Sequence, residues 1–113
     1  MIIQLVPQRR DDTVEVVKQG DSLIINGERF DFSPMGDGDT LPRSAIQSEW
    51  IASGTKVEKL GGEIRVTLLL PIPANFSPEQ AFPVPLENVP DGPVQLPGPL
   101  PEQEAVQMFE ENA

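Results

Sequence analysis

The chain has 113 residues, carries a net charge of -10 and contains no cysteine, histidine or tyrosine. The side chains that most often act as general base, thiol nucleophile or imidazole metal ligand are therefore missing, and we expect no enzymatic activity, no catalytic residues, no cofactor and no bound metal. The acidic excess also argues against nucleic acid and membrane surfaces as partners, because both attract basic proteins.

Charges and prolines divide the chain into unlike parts. All eight Lys and Arg residues precede position 66, whereas ten of the thirteen prolines lie between Pro71 and Pro101. We therefore expect three regions. These are an antiparallel β body over residues 1–73, a Pro-rich acidic extension over residues 74–101, and a short amphipathic helix or disordered tail over residues 102–113.

The first residues, from Met1 to Val6, are mostly apolar and uncharged, and they end at Pro7. They lack the charged start and the long apolar stretch of a signal peptide, so they predict a strand. No apolar run in the sequence approaches the roughly 20 residues that span a bilayer. We expect a protein that is made in a cytoplasm and does not bind membranes.

Two turn signals predict a three-stranded antiparallel meander in the next part of the chain. Asn26-Gly27 suits a two-residue type I′ turn and sets Leu23 opposite Phe30. Gln19-Gly20, taken as the preceding turn, sets Val16 opposite Leu23. Both assignments place one set of apolar side chains on the same face of the sheet. This set is Val14, Val16, Leu23, Ile25, Phe30 and Phe32.

A second hairpin is predicted over residues 55–70. Its turn is Gly61-Gly62, and Glu58 lies opposite Arg65 on the polar face. The predicted apolar face consists of Val57, Ile64, Val66, Leu68 and Leu70.

The residues between the hairpins give weaker signals. Residues 45–52 alternate irregularly, with Ile46 and Trp50 on one face, and form a sixth candidate strand in which Trp50 is a core residue. Residues 33–44 have the composition of a loop. We therefore predict a mainly β fold, a small antiparallel sheet that is sandwich-like or barrel-like, with a Pro-rich C-terminal extension and a short terminal helix.

Prolines after position 71 exclude a long helix or a central strand, because each proline lacks a backbone donor and fixes φ. Ser77-Pro78-Glu79-Gln80 nevertheless predicts one or two helical turns with serine as the N-cap. Pro83-Val84-Pro85 and the run from Pro97 to Pro101 can form polyproline II, a conformation that aromatic grooves bind. The alternative for this extension is a semi-rigid spacer or a strap laid across the body.

The candidate partner-binding residues are Val106, Met108 and Phe109. They lie in a stretch from Glu102 to Glu111 that is free of proline and glycine, and its apolar residues have helical spacing. These side chains could insert into a groove on another chain or dock on the protein's own sheet, and the sequence leaves both alternatives open.

Two further motifs have ordinary explanations. Gly36-Asp37-Gly38-Asp39 is similar to the alternating acids of calcium loops, but no Glu closes a twelve-residue frame and no helices flank it, so we interpret it as a loop. Asn75-Phe76-Ser77 matches a glycosylation sequon, which we attribute to chance.

Five stretches of the body carry a family resemblance: Pro7-Gln8-Arg9-Arg10-Asp11-Asp12, Gly20-Asp21-Ser22-Leu23, Ile25-Asn26-Gly27-Glu28, Phe30-Asp31-Phe32 and Leu68-Leu69-Leu70-Pro71. Over about residues 4–73, this resemblance is to small uncharacterised proteins encoded by tailed phages and prophages near tail genes. It implies a minor tail component or a tail assembly factor that acts through protein–protein contacts. Its partners would be other phage tail or assembly proteins, or further copies of itself as a homo-oligomer, in the cytoplasm of the host bacterium or in the virion. The alternative, which depends on the -10 charge, is a host-directed or regulatory acidic binding module.

Overall fold

The computed structural model describes residues 1–42 and 45–100 and shows a mainly β protein, as predicted. The elements in chain order are β1 (Ile2–Arg9), β2 (Val16–Gln19), β3 (Ser22–Ile25), β4 (Glu28–Asp31), β5 (Thr40–Pro42), β6 (Lys56–Leu60), β7 (Glu63–Ile72), α1 (Pro78–Ala81) and β8 (Gly92–Pro93). They form two four-stranded sheets. Sheet A has the order β1-β7-β6-β5, and sheet B has the order β4-β3-β2-β8.

In sheet B, the predicted register of the hairpin between β3 and β4 is confirmed. Leu23 lies opposite Phe30. Both turn residues, Asn26 and Gly27, have positive φ values of 48° and 84°. This backbone conformation is the one that a type I′ turn requires, and it explains why this pair of residues fixes the hairpin.

The predicted register of the preceding hairpin is wrong by two residues. Val16 lies opposite Ile25, and Lys18 lies opposite Leu23, so the turn is Gly20-Asp21 instead of Gln19-Gly20. Gly20 has a φ of 58°, which suits the first central position of a type II′ turn. Because the shift is an even number of residues, the predicted apolar face still points inward.

In sheet A, the predicted hairpin between β6 and β7 is confirmed, with Glu58 opposite Arg65. All five side chains of its predicted apolar face are buried: Val57, Ile64, Val66, Leu68 and Leu70. The region predicted as a loop contains one short strand, β5, which pairs with β6 at the edge of the sheet. This strand ends at Pro42, where proline is tolerated because an edge strand need not donate on its outer side.

The first strand is confirmed, but the prediction of an all-antiparallel body is wrong. β1 runs parallel to β7, from Ile2 opposite Arg65 to Arg9 opposite Ile72. Parallel strands are joined by long connections instead of tight turns, so no local turn signal announces such a pair.

The predicted strand over residues 45–52 is absent. Gln47 has a φ of 54°, which breaks an extended conformation, and the segment contributes one bridge, between Ile51 and Leu68. Ile51 is fully buried, whereas Trp50 is half-buried at the edge of the core. The Arg10 guanidinium lies 4.7 Å from the centroid of the Trp50 ring, in cation–π geometry.

Both sheets contribute to one hydrophobic core, which corresponds to the sandwich-like alternative. The buried members of the core are Ile3, Leu5, Val16, Leu23, Ile25, Phe32, Ile51, Val57, Ile64, Val66, Leu68, Leu70, Ile72 and Val89. One of them, Val89, comes from the Pro-rich extension. In the part of the chain that the structure describes, no helix has the length and apolar character needed to span a membrane.

Candidate partner-binding site on the C-terminal strap

Residues 74–100, which we call the strap, close on themselves at their two ends. The Leu100 backbone N–H donates to the Asn75 carbonyl at 3.0 Å, and the Asn75 side-chain amide donates back to the Leu100 carbonyl at 2.9 Å. Ser77 Oγ donates to the Gly98 carbonyl at 2.7 Å, and Gln80 Nε2 donates to the Pro97 carbonyl at 3.2 Å. The strap is therefore a closed loop with a hydrogen-bonded base.

The short helix α1, which the sequence predicted with Ser77 as its N-cap, organises this base. Ser77 is its N-cap: the hydroxyl accepts from the Gln80 N–H at 3.2 Å, and the Ser77 N–H donates to Gln80 Oε1 at the same distance. This reciprocal pair is a capping box with Pro78 at the first helical position. Ser77 and Gln80 are buried, so the cap and the base of the loop use the same two side chains.

The middle of the strap is fixed to both sheets. At sheet A, Leu86 and Ile3 exchange two backbone hydrogen bonds of 2.9 and 2.8 Å. At sheet B, β8 pairs with β2, and the Val94 N–H donates to the Val16 carbonyl at 2.8 Å. Val89, between these attachments, is 9% exposed and belongs to the core. Of the alternatives for the extension, a strap laid across the body is what the structure shows for residues 74–100.

A charged contact reinforces the attachment at sheet B. Lys18 Nζ lies 2.7 Å from Asp91 Oδ1, which also accepts a hydrogen bond from the Gly20 N–H at 3.1 Å. The hydrogen bond from Lys18 is the main cause that lowers the pKa of Asp91, and the Gly20 N–H adds to it. Asp91 therefore stays ionised at neutral pH and serves attachment of the strap.

Two large apolar side chains on the strap point into solvent, and together we call them the apolar ridge. Phe82 is 82% exposed and Val84 is 73% exposed, the largest values among the exposed large hydrophobic residues in the described part of the chain. The prolines at positions 83 and 85 alternate with them. A single exposed apolar residue is common on protein surfaces, whereas two neighbouring ones on an anchored segment form a small apolar patch.

Two grooves lie along the strap, and Leu86 lines both of them. One, of about 310 Å³, is lined by both ridge residues together with Glu79 and Leu96. The other, of about 270 Å³, is lined by Glu87, Val89 and three prolines of the strap. The ridge with its grooves is thus an irregular, mainly apolar surface, and each groove has one acidic lining residue.

The structure places the sequence-predicted site residues unequally. Val106, Met108 and Phe109 lie outside the described residues. Of the two candidate polyproline segments, Pro83-Val84-Pro85 belongs to the exposed ridge, whereas the segment beginning at Pro97 forms the base of the loop. Phe82 is not among the residues predicted from the sequence, because its exposure depends on which residues of the strap contact the sheets.

The other motifs serve turns. Asp39 Oδ2 accepts from the Gly36 N–H at 2.7 Å, and Asp37 Oδ1 accepts from the Gly62 N–H at 3.0 Å. Over residues 1–42 and 45–100, no group of three or more His, Cys, Asp or Glu side chains is arranged to hold a metal ion. In the sequon at Asn75, the hydroxyl of Ser77 is the helix cap described above.

Comparison with known proteins gives no functional information, so the geometry of the strap is the main basis for a functional proposal. No family model matches this chain, and no curated protein or solved structure matches it either.

Proposed function

We propose that this chain is a non-enzymatic binding protein that contacts another protein through its apolar ridge. The observation that carries the proposal is the 82% exposure of Phe82 on a segment that is hydrogen-bonded to both sheets. Large aromatic side chains dominate the energy of protein interfaces when they enter a pocket on the partner.

The conformation of the strap favours such binding. The neighbouring prolines fix φ, and the attachments at Leu86 and at β8 hold the backbone in place. A preorganised segment loses little conformational entropy on binding, so more of the contact energy of the ridge appears as affinity. The ridge therefore combines exposed apolar area with a conformation that is already restricted.

The sequence resemblance supports a setting for this activity. We propose that the protein is a minor tail component or a tail assembly factor of a tailed phage or prophage, and that its partners are other tail or assembly proteins. Mass spectrometry of purified particles and of the lysate that produced them tests this setting. Reproducible copy number in particles supports a structural component, whereas presence in the lysate alone leaves an assembly factor or the host-directed acidic module.

Substitution of the ridge tests the binding surface directly. Phe82→Ser, supplied to a producing strain that lacks the native gene, should lower the yield of infectious particles at least tenfold, because an interface aromatic of this kind contributes about 2 kcal/mol or more. Leu60→Ser is a matched control, since Leu60 is 41% exposed at the end of β6 and outside the strap. Thermal unfolding of both variants should match the parent protein.

A particle yield with Phe82→Ser equal to that of the parent would overturn the ridge as the binding surface. An equal loss with Leu60→Ser would show that the yield follows surface hydrophobicity in general, and it would overturn the assignment as well.

A further inference from the structure

We infer that the surface receiving the ridge is an apolar cleft rimmed by Lys or Arg side chains, and that it belongs to a different protein and not to a second copy of this chain. This inference depends on the proposed function and specifies the chemistry of the partner.

The charges beside the ridge are of one sign. No Lys or Arg follows Arg65 in the chain, so all charged side chains of the strap are acidic. Among the described residues, Asp91 is neutralised by Lys18, but Glu79 and Glu87 form no ion pair. Glu79 lines the groove beside Phe82, and Glu87 lines the adjoining groove. Two exposed carboxylates thus flank the apolar surface without compensation.

A second copy offers little complementary charge. A two-fold contact between two ridges would bring the same patch of each chain together and place acid against acid, at a net charge of -10 per chain. A contact between the ridge and another face of the second copy would need available bases. Of the seven described bases, five are already paired with acids of their own chain, namely Arg9, Arg10, Lys18, Lys56 and Lys59. The other two, Arg29 and Arg65, are exposed but lie on different sheets, so they do not form one basic rim.

A cleft with a basic rim fits both features of the surface. The ring of Phe82 projects from the strap and requires a concave apolar site, whereas Glu79 in the groove of the ridge and Glu87 in the adjoining groove favour Lys or Arg around the opening. Complementary rim charges accelerate association and discriminate against acidic partners. The ridge thus supplies the affinity, and the two carboxylates supply the selectivity.

Photocrosslinking from the ridge identifies the occupant. The full-length chain is made with p-benzoylphenylalanine in place of Phe82 and is irradiated in the producing cell. The crosslinked peptides are then mapped by mass spectrometry. We expect crosslinks to one site on a different protein, with Lys or Arg side chains around it. Crosslinks mainly to a second copy, or to a cleft without basic residues, would overturn the inference. Absence of any specific crosslink would overturn the proposed function together with it.

Charge substitution then separates the two proposals. With the crosslinked partner purified, Glu79→Gln combined with Glu87→Gln should raise the dissociation constant by about two- to thirtyfold. Added salt should weaken the complex of the parent protein more than the complex of this variant. Glu15→Gln combined with Glu28→Gln is the matched control, because both residues are exposed acids outside the strap, Glu15 immediately before β2 and Glu28 in β4. If Phe82→Ser abolishes binding but the Glu79→Gln and Glu87→Gln substitutions leave the dissociation constant unchanged, the ridge remains the binding surface and the basic rim is refuted.

Discussion

The attachment of the strap leads to a quantitative prediction about stability, for which the chain offers a matched pair of valines. Val89 is 9% exposed and belongs to the core, whereas Val84 on the same strap is 73% exposed. Changing either valine to alanine removes two carbon atoms. At about 0.8 kcal/mol per buried CH2 group, the loss of transfer energy is about 1.5 kcal/mol for Val89→Ala and about 0.4 kcal/mol for Val84→Ala.

The cavity left at position 89 adds to this loss, so we expect the free energy of unfolding to fall by about 1.5–2.5 kcal/mol. Urea denaturation followed by the fluorescence of Trp50 measures it, because Trp50 is the single tryptophan and packs against the core. Equal destabilisation by the two substitutions would refute the assignment of Val89 to the core. If Val89→Ala leaves the Trp50 transition unchanged and only increases amide exchange in the strap, the strap and body are separate folding units.

Three further changes test the turn, the cap and the charged attachment. Gly27→Ala should destabilise the protein by about 1–2 kcal/mol, because alanine is strained at a φ of 84°. Gly98 has open space around it and no positive φ, so Gly98→Ala is the control in urea denaturation. Ser77→Ala should lower the unfolding free energy by about 1 kcal/mol through loss of the N-cap. Asp91, whose pKa is lowered mainly by Lys18, stabilises the fold above its unfolded pKa of 3.8, and this contribution is lost as pH falls through the folded value. Denaturation at several acidic pH values should show a shallower pH dependence for Asp91→Asn, and an unchanged dependence would contradict its role.

The hairpins could be predicted from sequence where turn chemistry is restrictive. Asn26-Gly27 fixed its register because both residues adopt the positive φ that a type I′ turn needs. Near Gly20 the sequence allowed two placements of a two-residue turn, and glycine at the first central position proved to be the one adopted. The apolar face was predicted correctly in both cases, since the alternation of side chains survives an even shift.

The parallel pairing and the course of the strap could not be predicted. The contact between Ile2 and Arg65 joins residues 63 positions apart (65 − 2), and no local pattern encodes such a pair. Prolines correctly excluded long regular elements from the strap, but they do not specify which residues between them contact the sheets. The exposure of Phe82 follows from these contacts, and for that reason the sequence did not separate it from Leu86, which is half-buried four residues later.

The position of β1 also determines the order in which the chain can fold. Among the described residues, the backbone of β1 pairs with β7 and with Leu86, which both lie in the second half of the chain. During synthesis, β1 leaves the ribosome before β7 and stays unpaired until β7 follows. Contacts between residues so distant in sequence require closure of a long loop and slow folding. We therefore expect this apolar strand to be the segment of the nascent chain most exposed to aggregation and to chaperones.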